Sequence, residues 1–333
     1  MSNNPLISVV VIGRNEGQRL AACLNSIITA HNPGGELELI YVDSDSRDHS
    51  PELAASLGAL VLRVKPERPC AAIGRNAGWR AARGTYILFL DGDTLLHPDF
   101  PQAALAAMSD PQVAVVWGHR REAYPERSLY NRILDLDWIY PPGVSEFCGG
   151  DALMRRDVLE RVGGFSEDLI AGEEPELCQR IRALGMIIQH IDQPMTLHDL
   201  AITRFQAYWR RAVRAGHAYA EVSRRMKNTA FPLWLRDARR NAVHAAVLIF
   251  LALGGAAAAV ISGQPAALAG PVLAYAVLIL RSAYKARWKK ADALTLLLYG
   301  AHSHFQQIPI AWGQLSYWLH KFKNQRQALI EYK

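Results

Sequence analysis

The run TYILFLDGDTLLHPDF constrains the chain most. Residues 86–90 are apolar, aromatic or β-branched in succession, and polarity changes abruptly at Asp91, the pattern of a buried strand ending in a turn. Two carboxylates, Asp91 and Asp93, therefore stand where the strand leaves its sheet, separated by a glycine that cannot block a ligand. In open α/β sheets ligands bind at the carboxyl ends of strands, and paired carboxylate oxygens suit a hard divalent cation. An Asx turn capping a helix that starts near Pro98 is the competing reading.

What precedes this run repeats one unit. Residues 6–13 (LISVVVIG) read as a strand, followed by Arg14-Asn15-Glu16-Gly17 and then by Leu20, Cys23, Leu24 and Ile27 at helical spacing. Residues 38–42 form a second strand that runs into the acidic stretch Asp43 to Asp48. Ser50 and Pro51 open the next helix, and residues 59–64 supply a third strand. Alternating strands and helices predict a largely parallel sheet. The first loop lacks GxGxxG, which disfavours a dinucleotide site.

A chain of 333 residues predicts a core of about 200 residues plus an appendage. The 37 basic residues against 31 acidic give +6, with the excess concentrated toward the C-terminus beside two apolar runs. That placement favours an anionic membrane surface and argues against nucleic acid as partner. Cys23, Cys70, Cys148 and Cys178 form no CxxC pair and read as reduced, structural thiols; no signal peptide is expected at the N-terminus.

Four segments, VVVIGRNEG, YVDSDSRD, GRNAGWRAARG and ILFLDGDT, follow one another in register. Together they resemble the nucleotide-sugar-binding half of an inverting family 2 glycosyltransferase, of the bacterial membrane-associated type. The resemblance covers about residues 6–235 and implies a GT-A fold: an α/β domain with a mostly parallel sheet flanked by helices. It also implies that Arg14, Glu16, Asp43, Asp45 and Arg75 bind the donor, with Asp43 reading the base. Asp91 would face the ribose or sugar and, with Asp93, bind Mg²⁺ or Mn²⁺. Asp45 and Asp48 read as well as turn or helix caps, and Arg47 as a surface residue.

Downstream, residues 113–117 read as a strand and HRREAYPERSLYNRILDLDWIYPPG as a polar, aromatic, substrate-facing segment. In EFCGGD, Gly149, Gly150 and Asp151 belong to the acceptor side on this reading, where two glycines let backbone approach a ligand; a tight turn fits equally. Gly163-Gly164-Phe165 is similar to the family's landmark before the base. Where the common pattern reads Glu-Asp, this chain has Glu173-Glu174, so Glu174 is implied as the base and Glu173 as the residue that orients the acceptor. Both stand at the start of a helix with Pro175 in its first turn, where a helix cap is the alternative. Neighbouring carboxylates raise one pKa while the helix end lowers it, and the sequence leaves the net shift open. The Trp of the QxxRW signature of processive synthases is missing after Gln179, which implies addition of one sugar. His198, expected beyond a strand ending near Ile191, is either a third metal ligand or structural. Residues 204–219 form a basic, aromatic helix suited to a lipid phosphate or interface, or to a solvated face.

Residues 242–262 and 266–280 are apolar runs flanked by Arg236, Arg239 and Arg240 before and Arg281, Lys285, Arg287, Lys289 and Lys290 after. They predict a hairpin in the membrane with both ends cytoplasmic, or a buried soluble hairpin. About residues 291–322 an apolar stripe, interrupted near Pro309, predicts an interfacial helix or a homo-oligomer seam, with Lys321, Lys323 and Arg326 following it. His302 and His304 have no evident third ligand. The expected division is a catalytic domain at 1–235 and a membrane-associated region at 236–333. The expected partners are a nucleotide-sugar donor, a lipid-linked or saccharide acceptor, and the inner membrane, with the catalytic domain in the cytosol. A nucleotidyltransferase is disfavoured by the missing Gly-rich cradle; a non-catalytic membrane scaffold would show no donor turnover.

Overall fold

The computed structural model describes residues 6–31 and 37–325. They fall into two compact units. One comprises residues up to Ala123, Trp138–Leu200 and Asn228–Leu233; the other comprises Tyr124–Asp137, Ala201–Lys227 and the chain from Trp234.

The first unit is built on one sheet. Its strands are β1 (Ile7–Gly13), β2 (Glu38–Asp43), β3 (Leu60–Arg63), β4 (Tyr86–Asp91), β5 (Thr94–Leu96), β6 (Val113–Glu122), β7 (Gly143–Ser145), β8 (Ala152–Arg155) and β9 (Ile187–His198). They lie in the order β3-β2-β1-β4-β8-β6-β9-β5, with β7 also on β9. β1 to β4, β6 and β9 run one way, while β8, β5 and β7 oppose them, so the sheet is mixed and mostly parallel. Val9, Val10, Val11, Leu88 and Phe89 are fully buried, as central strands covered on both faces must be. The covering helices are α1 (Gln18–Ile28), α2 (Ser50–Ser56), α3 (Ala71–Ala81) and α4 (Phe100–Ala107).

α3 lies so close to the sheet that a Cβ on Gly78 would sit 2.2 Å from Val10 Cγ1. The same helix clasps the Gly163-Gly164-Phe165 turn: Asn76 Nδ2 donates to the Phe165 carbonyl at 2.8 Å, and Asn76 Oδ1 accepts from the Phe165 N–H at 2.9 Å. α4 begins after Asp99, whose side chain makes no capping bond, and neither Asp91 nor Asp93 caps it.

Two strands run further than expected. β9 continues past Ile191 to His198, and β6 continues past Trp117 to Glu122, pairing in parallel with register shifts around His119, opposite Pro194. A bulge accommodates a proline that regular pairing would exclude. Three further helices follow: α5 (Leu129–Asp135) belongs to the second unit, whereas α6 (Arg156–Val162) and α7 (Glu173–Ala183) belong to the first.

The second unit is otherwise α8 (Phe205–Met226), α9 (Leu235–Ser262), α10 (Ala269–Ala286), α11 (Ala293–Phe305) and α12 (Gln307–Phe322). α8 and α12 touch through glycines, since a Cβ on Gly216 would meet the Ile310 carbonyl and one on Gly313 the Val213 carbonyl, each at 2.0 Å. α9 and the stretch containing α10 are long and apolar enough to cross a membrane, and only 17% and 6% of their most apolar windows is buried. They are therefore not core helices of this unit. The expected helix at 291–322 is two helices broken at Gln306, with Pro309 in the first turn of α12. Ile310, Gly313 and Tyr317 are buried, whereas Trp312, Leu315, Leu319 and Phe322 of the expected stripe remain exposed. His302 bonds Tyr208 and Asp137, and His304 bonds His244 and Ser282, as structural histidines do. Arg326 lies outside the described residues.

Candidate active site

The chain crosses the C-terminal edge of β4 with its carboxylates held by long-range partners. Arg75, from α3, is 2% exposed, and its guanidinium is the hub. Nη2 lies 2.9 Å from Asp91 Oδ1, and Nη1 lies 3.0 Å from Glu173 Oε1 and 2.9 Å from Glu174 Oε1. The site is short of space as well as charge: a Cβ on Gly150 would meet Arg75 Nη2 at 2.5 Å and both Asp91 Oδ2 and Glu174 Oε1 at 3.2 Å. Gly150 is thus a close approach, whereas Gly149 has ordinary clearance, with Arg120 Nη1 at 3.7 Å.

Burial pushes the Glu174 carboxyl up to about 7, and the neighbouring Glu173 adds to the shift while Arg75 opposes it. The expectation that the sequence left open thus resolves upward. Asp151 is fully buried, and burial raises its pKa against the pull of Arg120. Its oxygens accept from the Asp91 N–H at 3.2 Å and from the Thr196 hydroxyl at 2.8 Å.

Asp91, Asp93 and His198 form the second cluster. β5 and β9 pair Thr94 with His198, which carries the imidazole to Asp93 across the ladder, Nε2 lying 3.3 Å from Oδ2. One ligand atom from each of the three residues lies within 4.8 Å of the others. Two carboxylate oxygens and an imidazole nitrogen fit Mn²⁺ or Mg²⁺ by donor type. On the other side of His198, Arg120 Nη2 contacts Nδ1, lies 3.5 Å from Asp91 Oδ2, and stacks on the Trp138 ring at 4.8 Å.

Of the residues expected on the donor side, Asp43 ends β2, and Arg14, Glu16 and Asp45 lie on the loops after β1 and β2. Asp43, 2% exposed, accepts from the Tyr41 hydroxyl at 3.2 Å and the Ser46 N–H at 3.0 Å. Glu16 pairs with Arg19 at 2.8 Å, and Arg14 is half-buried in the same loop. Asp45 is exposed at φ +62°, 3.6 Å from Lys65, and the Asp48 carboxylate accepts from the Ser50 N–H at 3.1 Å. Asn15, at φ +57°, ties the two loops together: its N–H donates to Ser46 Oγ at 2.9 Å, and its Oδ1 accepts from the Arg47 N–H at 2.7 Å.

Residues 8–163 match the model of "Glycosyl transferase family 2", and residues 86–287, more than half of the chain, match "Glycosyl transferase family group 2". The chain belongs to glycosyltransferase family 2. Among curated relatives of this family 2 chain, glycosyltransferase AglE of Haloferax volcanii is 26% identical over 195 residues, covering 55% of this chain and 64% of the relative. The probable glycosyltransferase YdaM of Bacillus subtilis is 23% identical over 233 residues, 64% of this chain and 55% of the relative. The chain thus spans between half and two thirds of these relatives' lengths. A solved mannosyltransferase from Pyrobaculum calidifontis, in complex with GDP-Man and Mn²⁺, superposes with a TM-score of 0.59 at 22% identity, covering 96% of this chain and 88% of that one. The fold is accordingly GT-A.

Within this family 2 framework the structure brings Arg75, Asp91, Gly150, Glu173 and Glu174 into one cluster and Asp91, Asp93 and His198 into an adjoining one. Arg75, expected at the nucleotide, is enclosed by three carboxylates. Sequence reasoning missed Arg120, Trp138 and Asn15. Arg120 lay inside a segment already marked as substrate-facing, but it meets His198 from 78 residues away, so no local spacing signals the contact.

Proposed function

We propose that the chain is an inverting glycosyltransferase that moves a single sugar from a nucleotide-diphosphate sugar to a hydroxyl of a lipid-linked or saccharide acceptor, in envelope or exopolysaccharide synthesis. The carrying observation is the Arg75 bridge, which joins Asp91 to Glu174 with 2.9 Å contacts on each side. It supports the reading because a carboxylate raised to about 7 is well matched to taking a proton near neutral pH, beside the donor carboxylate.

In this reading Asp43, Arg14, Glu16 and Asp45 face the nucleoside, and Arg75 orders the carboxylates around the sugar. Asp93, Asp91 and His198 would hold Mg²⁺ or Mn²⁺, which when bound stabilises the charge that develops on the departing nucleoside diphosphate. Glu174 accepts the proton of the acceptor hydroxyl. The oxygen attacks the anomeric carbon opposite the leaving group, and one displacement inverts the configuration. Glu173, Gly149, Gly150 and Asp151 shape the acceptor side. A phosphate acceptor needs little help from a base, so dependence on Glu174 would distinguish a hydroxyl.

The exposed, apolar α9 and α10, with arginines and lysines at both ends, support attachment to the cytoplasmic face of the inner membrane, and the outward stripe of α12 supports a homo-oligomer. The test is release of nucleoside diphosphate by detergent-solubilised protein from UDP-, GDP- and dTDP-sugars, GDP-mannose included, with and without Mn²⁺ or Mg²⁺. Metal-dependent release from one donor, lost in Asp93→Ala, is expected. Absence of both release and metal-dependent donor binding would overturn the reading in favour of a scaffold.

A further inference from the structure

Five carboxylates, Asp91, Asp93, Asp151, Glu173 and Glu174, meet in the two adjoining clusters, and two guanidinium groups answer them. Arg75 is committed to the base side. Arg120 stands between the metal cluster and Asp151: Nη2 contacts His198 Nδ1 and lies 3.5 Å from Asp91 Oδ2, and Nε lies 3.6 Å from Asp151 Oδ2. Its Nε is buried without a hydrogen-bond partner, so the guanidinium is held by charge and by the Trp138 ring beneath it at 4.8 Å, with unused donor capacity.

The contact with His198 has a chemical consequence. A guanidinium can only donate, so whenever Arg120 donates to Nδ1 a neutral ring carries its proton on Nε2, which faces Asp93 Oδ2 at 3.3 Å. A protonated Nε2 has no lone pair for a metal. Ligation through Nε2 requires the proton on Nδ1, and an N–H there cannot coexist with the Arg120 donor. Arg120 and a divalent cation therefore make competing demands on His198, while both are drawn to Asp91.

We propose that Arg120 is the resident cation of the acidic cluster, held over His198 and Asp91 until a divalent metal displaces it. This inference rests on the metal-dependent donor reading above. In the absence of ligand, Arg120 offsets the repulsion among Asp91, Asp93 and Asp151 and keeps the ligand set assembled. With the ion held by Asp91, Asp93 and His198, the guanidinium would leave His198 while staying on Trp138, still facing Asp91. From there it can donate to an anion that enters with the metal, the diphosphate of the donor. The residue would weaken binding of metal alone and strengthen binding of metal with nucleoside diphosphate, so that the site closes on the pair. Both effects follow from one charge a few ångströms from two ligands.

The test is titration of full-length, detergent-solubilised protein with Mn²⁺, followed by electron paramagnetic resonance of the unbound ion, for wild type, Arg120→Met and Arg120→Lys. Each is measured alone and with saturating GDP or UDP, whichever the wild type binds. Arg120→Met is expected to bind Mn²⁺ alone about tenfold more tightly than wild type, with Arg120→Lys between them, because an ammonium cannot span His198 and Asp91 together. With the nucleotide present the order reverses, and Arg120→Met loses about tenfold. A purely structural arginine would weaken both measurements, and that result, or unchanged Mn²⁺ affinity, would overturn the inference while leaving the metal site standing. Should Arg120→Met fail to fold, Arg120→Lys carries the same decision. Failure of the wild type to bind Mn²⁺ at all would overturn the inference and the metal reading together.

Discussion

At the scale of single residues, Glu174 makes two demands that oppose each other. To act as base it must be ionised, so with its pKa raised to about 7 the rate should climb with pH through that value and level off above it, measured as kcat/KM against pH. Glu174→Gln should lower turnover by about 10³-fold or more while leaving donor binding within a fewfold, which isothermal titration with the nucleotide sugar would check. Stability runs the other way. The folded pKa lies above the ordinary value of 4.5, so the folded state binds the extra proton between those two values. Its stability is fully present below about 4.5 and falls as pH rises through about 7. Glu174→Gln should therefore melt higher than wild type at pH 8, by the equivalent of about 2 kcal/mol, and match it near pH 4. A wild type that melts higher than the variant at pH 8 would mean that the Arg75 pair outweighs burial. Much of this was legible in the sequence, because the acidic motifs are short and local. What raises the Glu174 pKa was not, since its burial comes from distant parts of the chain, Gly150 among them, packing around it.

At the scale of elements, close approaches explain why glycines stand inside the motifs. Gly78 lies in the middle of α3, where alanine would be the better helix former. A Cβ there would nonetheless press on Val10 Cγ1 at 2.2 Å, in a strand fully buried in the sheet. Gly78→Ala should cost about 1–3 kcal/mol, read as a lower denaturation midpoint with unchanged slope, and leave the pH profile alone. Gly150→Ala should do the reverse. Its Cβ would displace Arg75 Nη2, so activity should fall by about 10²-fold at a smaller cost in stability. The alternation of strands and helices up to β4 could be read directly, since buried parallel strands are continuous apolar runs. β9 could not. Asp192, Gln193 and Pro194 look like its end, and it is pairing with the far half of β6 on one side and with β5 on the other that carries the strand on to His198. His198 was thus singled out as a candidate ligand through the resemblance before its strand was visible. α8, expected with the catalytic half, groups by contact with the helices that follow.

At the scale of the whole molecule, net charge and apolar surface point to the same environment. The +6 excess stands beside helices that leave several large apolar side chains exposed: Phe250 is 75% exposed, Leu253 66%, Val260 83% and Ile261 86%. So continuous an apolar surface is costly in water; in the function proposed above a bilayer covers it, with a second copy of the chain as the competing cover. A bilayer is favoured because α9 has 28 residues, enough to span the hydrocarbon core with tilt, and because the flanking charges are basic at both ends. If α9 and α10 span, the protein should remain in the membrane pellet after alkaline carbonate extraction. Phe250→Arg combined with Leu253→Arg should then release it or cause its degradation, each arginine costing roughly 3 kcal/mol near the middle of a span. Copies covering one another would behave differently, since the wild type would extract into carbonate as a dimer and the two arginines would make it a monomer. The catalytic consequence follows from the same argument. If the acceptor is lipid-linked, as one arm of the proposed function has it, it is available only at that surface, so the double variant should lose transfer to endogenous lipid while still binding the nucleotide sugar.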